Sequence, residues 1–324
     1  MKSTLVTGAA GFIGSHLCEA LLAMDLTVHG VDSFSDHYER ELKELNLAPA
    51  LAHERFRFHE LDIVGAPLDE LAGEAEWVFH LAARPGVRDS WSAFGDYAHS
   101  NILGTRAVLD VCARHGKRLI YASSSSVYGD AADLPVRETA PLRPLSPYGA
   151  SKVMAEVLSG AYAQSYGLQA VGLRYFTVYG PRQRPDMALA RFIEAAVEDQ
   201  ELPIFGNGRQ MRDFTYVHDV VAATIAAAQH GRAGGVYNIA SSCPQPLLDV
   251  LDELARATGR ELRLSFEEAK AGDVRDTWAS TELVREELGF QASTALREGL
   301  AAQVREAERR RAALGALAAS SPPL

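Results

Sequence analysis

Cysteine is scarce in this sequence. Cys18, Cys112 and Cys243 are odd in number and widely spaced. They suit neither a disulfide framework nor a zinc site, so reduced thiols, no metal centre and a cytoplasmic location are expected. Long apolar runs are missing too: no stretch approaches the roughly 20 apolar residues a membrane helix needs. The opening Met-Lys-Ser-Thr-Leu-Val-Thr-Gly runs straight into a strand pattern, without the apolar core and cleavage site of a secretory leader. Basic residues are outnumbered, 32 Lys and Arg against 42 Asp and Glu, for a net charge of −10. Such a chain repels phosphate backbones, which argues against nucleic acid as a partner and leaves room for a small phosphorylated ligand. What is present is ordinary for a globular protein: 324 residues, 47% hydrophobic and 23% charged, enough for one large domain or two small ones.

The first half alternates short apolar runs with helical stretches. Strands are expected over 3–7, 27–31, 56–60, 76–81 and 118–122, and helices over 12–23 and 97–115. Trp77-Val78-Phe79 and Leu119-Ile120-Tyr121 are apolar without alternation, as in strands covered by helices on both faces. The fold class is therefore α/β, a doubly wound parallel sheet. A Ser-, Pro- and Gly-rich loop follows at 124–147, then a helix over 148–166 and a strand over 169–174. Beyond it, prolines and glycines punctuate shorter elements, with helices over 187–200, 216–230, 246–258 and 294–312. The expected division is a sheet domain over 1–180, to which some later segments return, a smaller mixed α/β substrate-binding lobe over 181–315, and a disordered tail over 316–324.

Glycines at 8, 11 and 14 sit between the first strand and the first helix, in Thr7-Gly8-Ala9-Ala10-Gly11-Phe12-Ile13-Gly14. Gly8 suits a tight exit from the strand, Gly11 a close approach of a pyrophosphate, and Gly14 close packing of helix on sheet. The helix N-terminus offers free N–H groups to the anion. Asp32 ends the second strand, 18 positions beyond Gly14. A carboxylate there can accept from a ribose 2′-hydroxyl and repels a 2′-phosphate, which favours NAD over NADP.

Tyr148 and Lys152 stand at i and i+4, one face of a helix. A phenol ionises near pH 10, and a neighbouring ammonium together with an oxidised nicotinamide would favour phenolate, a working general base. Ser123-Ser124-Ser125-Ser126 follows the strand 118–122, at the sheet edge where ligands of such folds sit. Periodicity does not tell which serine faces a substrate.

Taken together these segments resemble the extended short-chain dehydrogenase/reductase family, a Rossmann-type fold, and the match runs in order over nearly the whole chain. Its other carriers are Asp62-Ile63, His80-Leu81-Ala82-Ala83, Asn101, Ser123–Gly129 and Arg174-Tyr175-Phe176. The resemblance implies bound NAD contacting Gly8, Gly11, Phe12, Ile13, Gly14, Asp32, Asp62, Ile63, Leu81, Ala82, Ala83, Asn101, Tyr148, Lys152 and Tyr175. It assigns Ser124 as the catalytic hydroxyl, Tyr148 as the base and Lys152 as a bridge between ribose and tyrosine. Arg84-Pro85, after the alanine pair, departs from the family pattern.

The second half is similar to the nucleotide-sugar 4-epimerases, above all those acting on UDP-glucuronate, through Arg174–Pro181, Arg184-Pro185-Asp186-Met187 and Arg212–Val217. On this resemblance Ser124, Ser125, Ser126, Thr177 and Leu189 bind the sugar side. Pro203 and Phe205 frame the uracil, and Arg212, Asp273 and Arg275 meet the ribose and diphosphate. Arg184, with Arg88 as a weaker candidate, is expected to clamp a sugar carboxylate, because a 4-keto uronate loses CO₂ unless its carboxylate is held out of line. The implied reaction is redox-neutral 4-epimerisation through a transient 4-keto sugar, in a homodimer paired through the helices 97–115 and 148–166. UDP-glucose is the alternative substrate. UDP-glucuronate decarboxylation ranks below both. A 4,6-dehydratase would need an acidic pair where Ser125 and Ser126 stand, and a non-catalytic NAD sensor would not need the Tyr148/Lys152 pair.

Overall fold

The structure, a computed structural model, describes residues 2–268 and 276–320, the side chains of 316–320 excepted. The first half winds as β1 Ser3–Thr7, α1 Phe12–Ala23, β2 Thr27–Asp32, α2 Arg40–Leu51, β3 Phe56–Glu60, α3 Leu68–Glu74 and β4 Ala75–His80. It continues with α4 Phe94–Tyr97, α5 Gly104–His115, β5 Arg118–Ser124, α6 Pro147–Tyr166 and β6 Ala170–Tyr175. The second half carries β7 Thr177–Tyr179, α7 Ala188–Val197, β8 Glu201–Phe205, β9 Met211–Arg212, β10 Phe214–Tyr216, α8 Val217–His230 and β11 Val236–Ile239. Last come β12 Gln245–Pro246, α9 Leu247–Thr258, β13 Arg263–Glu267, α10 Glu282–Leu288 and α11 Leu296–Ser320.

Seven strands form one parallel sheet in the order β11-β6-β5-β4-β1-β2-β3. The winding direction reverses between β1 and β4, which opens a crevice at their carboxyl ends. Successive strand residues face opposite layers. Leu5, Val78, Leu119 and Tyr121 pack with α3 and α5 residues such as Ala72 and Val108. Val6, Phe79, Ile120 and Leu173 join Leu17 and Leu21 of α1, Leu47 of α2 and Val220 of α8. This is the Rossmann-type α/β arrangement expected from the unalternating strands. β8 and β13 pair parallel in a separate two-stranded sheet near α7 and α9.

Local sequence explains the elements that frame the crevice. Gly8 has φ +75, and a Cβ on Gly14 would lie 2.0 Å from the Gly8 carbonyl oxygen, so both positions require glycine. α6 opens on Ser146, whose hydroxyl accepts from Gly149 N at 3.0 Å, with Pro147 in its first turn. It stops at Gly167 in the left-handed region.

Two expectations need correction. The helix expected over 97–115 is interrupted by a π-helical turn over 98–103. Asn101 lies in that turn, with its side chain directed away from the helix axis to Arg84 and Ser151. At the other end, α11 runs to Ser320, so 316–320, expected as tail, is helical. Ala-Leu-Ala-Ala has the propensity to continue a helix already nucleated by a packed segment.

Candidate functional site

A cleft of about 490 Å³ follows the crevice from the β1–α1 turn to the end of β5 and on to β7. Its first wall is the glycine turn, with Phe12 and Ile13 opening α1. Asp32 holds this wall in shape. One of its carboxylate oxygens accepts from Ala10 N at 3.0 Å and the other from Phe34 N at 2.9 Å. Burial raises the Asp32 carboxyl, while the Phe34 amide and the Lys43 ammonium act against that rise. The carboxylate therefore ties the turn to the loop after β2 and keeps further lone pairs for a ribose. Leu81, Ala82 and Ala83 form the opposite wall, with Asp62 and Ile63 at one end. His99 meets Asp62 at 2.8 Å.

Behind this wall runs a buried relay. Thr7 Oγ1 shares a hydrogen bond with His80 Nδ1 at 2.8 Å, and His80 Nε2 with Thr105 Oγ1 at 3.1 Å. Thr105 donates to Asn101 O at 2.6 Å. Asn101 grips both backbone groups of Arg84, accepting from its N–H at 2.7 Å and donating to its carbonyl at 3.0 Å. Asn101 is thus not a lining residue: it shapes the cleft through the Arg84 backbone, which does line it.

The candidate reaction centre is a register between β5 and α6. Ala122, Ser123 and Ser124 are consecutive, and each is engaged by a residue one turn apart on α6. Lys152 Nζ donates to Ala122 O at 2.9 Å, and Ser123 Oγ donates to Glu156 Oε1 at 2.5 Å. The Ser124 hydroxyl stands beside the Tyr148 phenol. Burial pushes the phenol above its usual range, with Ser124 and Arg184 pulling it back. Burial also brings Lys152 down to about 8, against the opposing charge of Glu156. The expectation that Lys152 lowers the Tyr148 phenol is corrected in this respect: the groups acting against burial are Ser124 and Arg184, while the Lys152 ammonium is turned to Ala122 O. Among the four serines, Ser123 is turned away to Glu156, and Ser124, Ser125 and Ser126 remain for a ligand.

Tyr175 lines the cleft beside Thr177, but its hydroxyl is spoken for by Thr224 at 2.8 Å. At the far end Arg184 lines the cleft and is itself gripped by Asp186: Nε and Nη2 donate to its two oxygens, each at 3.0 Å. Other expected residues lie apart. Leu189 is in the core with Phe192 and Ile193, on the apolar face of α7, and does not line the cleft. Arg88 stacks on Phe205, its guanidinium carbon 5.4 Å from the ring centroid. Phe205, Pro203 and Arg212 belong to β8 and β9, outside the lining of the cleft. Asp273 and Arg275 lie outside the described residues.

The cleft also contains groups the sequence reading passed over: Ser33, Ser35, His37, Tyr38 and Lys43 from the β2–α2 segment, and Gly86 and Val87. Lys43 was readable in principle. It stands at i with Asn46, Leu47 and Ala50, a helical stripe, and all four are buried.

The model of the NAD dependent epimerase/dehydratase family matches residues 4–240. The chain is 41% identical over 304 residues to the uncharacterized UDP-glucose epimerase YtcB of Bacillus subtilis, covering 93% of this chain and 96% of that one. It is 38% identical over 306 residues to the UDP-glucuronate 4-epimerase of Thermodesulfobacterium geofontis, covering 91% and 93%. Among solved structures, the UDP-glucuronic acid 4-epimerase of Bacillus cereus in complex with UDP-glucuronic acid and NAD superposes with a TM-score of 0.91. That match has 39% identity and covers 95% of this chain and 99% of the other.

Proposed function

The chain belongs to the NAD dependent epimerase/dehydratase family, and from that premise we propose that it is an NAD-dependent UDP-sugar 4-epimerase acting on UDP-glucuronate. The observation that carries this reading is the β5–α6 register, which sets Ser124, Tyr148 and Lys152 together in the cleft that begins at the glycine turn. The residues present fit NAD. The β1–α1 turn leaves no room for a Cβ at Gly8 or Gly14, and the part-buried Asp32 carboxylate disfavours a 2′-phosphate. Bound there, NAD supplies reversible oxidation at the sugar C4.

The chain's own residues divide the remaining work. Tyr148 exchanges a proton with the sugar 4-hydroxyl. The Ser124 hydroxyl holds the same oxygen, which selects the rotamer in which proton transfer is short. Lys152, one helical turn from Tyr148 on α6 and brought down to about 8 by burial, is anchored on the Ala122 carbonyl, from where its ammonium can bridge a ribose and the tyrosine. Ser125, Ser126, Thr177 and Arg184 surround the sugar end and hold its C6 group while the ring presents first one face and then the other. The expected roles of Pro203, Phe205 and Arg212 toward uridine and diphosphate belong to this same proposal, as does that of Arg88.

UDP-glucose is a second reading with an observation of its own: Asp186 already neutralises Arg184, as a neutral C6 hydroxymethyl would favour. Two copies are proposed to pair through the 97–115 segment and α6, where Leu103 of the π-helical turn and Met154 and Val157 of α6 present apolar surface to solvent. A dimer mass by light scattering supports this and a monomer mass removes it. No helix among the described residues is long and apolar enough to cross a membrane, and a cytoplasmic location is proposed on the reduced-thiol argument.

The test is NMR of purified protein with UDP-glucuronate and, separately, UDP-glucose, no NAD added. Conversion of the first to UDP-galacturonate without pentose product supports the proposal. Conversion of the second alone transfers the assignment to the neutral sugar. The Tyr148→Phe variant should lose roughly 10²–10⁴-fold in kcat with substrate binding retained. Full turnover in that variant overturns the mechanism.

A further inference from the structure

The Arg184–Asp186 pair has a third member. His37 comes from the β2–α2 loop on the cofactor wall, and its Nε2 lies 3.8 Å from Asp186 Oδ2. Its side chain is only 6% exposed. Nε2 is buried with no hydrogen-bond partner among the described residues, and the ring lines the cleft. At that distance no hydrogen bond exists, yet a small movement would make one. Burial alone would raise the Asp186 carboxyl, but the Arg184 guanidinium bonded to both its oxygens holds it well below the ordinary range.

Charge counting at the sugar end then becomes specific. The Arg184 cation and the Asp186 anion cancel. Asp186 occupies the Nε/Nη2 edge of the guanidinium, so a sugar carboxylate would have to use the remaining N–H groups of the same cation. With neutral imidazole, a uronate would bring two carboxylates to one guanidinium in a part-buried cleft and leave a negative charge uncompensated, which is costly. A neutral hexose raises no such difficulty.

We propose that His37 is a specificity-determining residue for this site: an acidic sugar is bound together with one solvent proton on His37, whereas a neutral sugar is bound without it. The inference rests on the UDP-sugar reading above. The proton goes from buffer to Nε2, which then donates to Asp186 Oδ2, a charge-assisted bond that frees Arg184 to face the sugar. No other covalent change is involved. The groups facing His37 are consistent with this. Tyr38 meets the ring edge-on, with centroids 6.2 Å apart. On the other side is Gly86, whose Cβ position would lie 3.9 Å from His37 Cε1 and 3.2 Å from the Tyr97 hydroxyl. That hydroxyl is occupied with the Pro85 and Gly86 carbonyls. Among cations, Lys43 lies over the far Tyr38 ring, 4.6 Å from its centroid, and Arg84 is paired with Asp36 and Asp96.

The experiment is calorimetric titration of NAD-loaded Tyr148→Phe protein, in which turnover is blocked, with UDP-glucuronate and with UDP-glucose. Running each at one mildly alkaline pH in phosphate and in Tris gives protons taken up per ligand from the difference in buffer heats. The expected result is up to one proton more for UDP-glucuronate than for UDP-glucose, and a Kd for the acid that rises up to tenfold per pH unit while that for glucose stays flat. Adding His37→Gln should erase the difference. Adding Asp186→Asn should also erase it, and should tighten UDP-glucuronate at high pH, since Arg184 alone then balances the sugar. Equal proton numbers for the two sugars in the parent protein, or a difference that survives His37→Gln, overturn the inference and leave the epimerase reading intact. Binding of neither sugar overturns the epimerase reading itself.

Discussion

Replacing Glu156 by Gln tests how much the fold depends on the ion pair beneath the reaction centre. Glu156 and Arg174 have side chains 7% and 6% exposed, and they meet along a two-pronged edge: Nε to Oε1 at 2.9 Å and Nη2 to Oε2 at 2.7 Å. Oε1 also receives Ser123 Oγ. Glutamine keeps the volume and one acceptor, but its amide nitrogen must face a guanidinium N–H, and the Arg174 charge is left without its counter-ion. Breaking such a pair costs about 3–5 kcal/mol. Arg174 Nη1 keeps its bonds to Tyr128 Oη at 2.6 Å and Glu138 O at 2.9 Å, which favours the lower end. About 3 kcal/mol corresponds to a fall in Tm of roughly 4–5 °C for a chain of this size. A thermal melt followed by circular dichroism reads it, beside a Glu156→Met/Arg174→Met double variant that removes both charges and should return to within about 1 kcal/mol of the parent. Glu156 is also the charge that supports Lys152 against desolvation, so kcat of the single variant should begin to fall at lower pH. A single variant within about 1 kcal/mol of the parent, or a double variant no better than the single, would refute the reasoning.

Three further outcomes follow from the geometry. Gly14→Ala sets a Cβ 2.0 Å from the Gly8 carbonyl oxygen, a backbone clash that no rotamer relieves. The variant should purify without nucleotide, measured by chromatography of what heating releases, and melt lower by at least about 2 kcal/mol. Lys152 is depressed from 10.5 to about 8, so the folded state disfavours its charge. The resulting penalty is fully present below pH 8 and vanishes as pH rises to 10.5. Lys152→Met in cofactor-free protein should therefore stabilise by about 2–3 kcal/mol at neutral pH, an excess in urea midpoint that shrinks above pH 8. His16 and His80 are each lowered to about 3 by burial, foremost, and then by Arg182 and Lys152 respectively. Neutral imidazole is what folds, so stability present above pH 6.5 is lost as pH falls toward 3, by about 1.4 kcal/mol per unit for each ring. An acid titration of His80→Gln with the parent's slope would remove that account.

The legible parts of the sequence are those where one local rule acts alone. β1 and α1 fall where expected because an apolar run, a glycine turn and a helical stripe follow each other without conflict. α2 was hidden because two of its buried positions are Lys43 and Asn46, polar residues that serve the cleft and the Ala10 carbonyl. β8 carries Pro203 inside it, and β11 carries the buried Asn238, so neither reads as a plain strand. For the site, spacing alone brought out the glycine turn, Asp32 and the Tyr148/Lys152 face, whereas Ser124 and Arg184 came by resemblance. His37 and Asp186 acquire meaning only across 149 positions of chain, through a contact that no local pattern encodes.

The position of β11 bears on how the chain is made. β11 borders β6, yet residues 176–235 come between them, and they build the whole of α7, β8 and α8 first. While the chain grows on the ribosome, β6 is a temporary sheet edge with unsatisfied backbone groups, of the kind that invites pairing with another chain. A stalled or truncated product ending near residue 180 would expose that edge permanently. Expression of such a fragment should give aggregate rather than a free-standing nucleotide-binding module, and extension through Ile239 is the shortest length at which the sheet is complete.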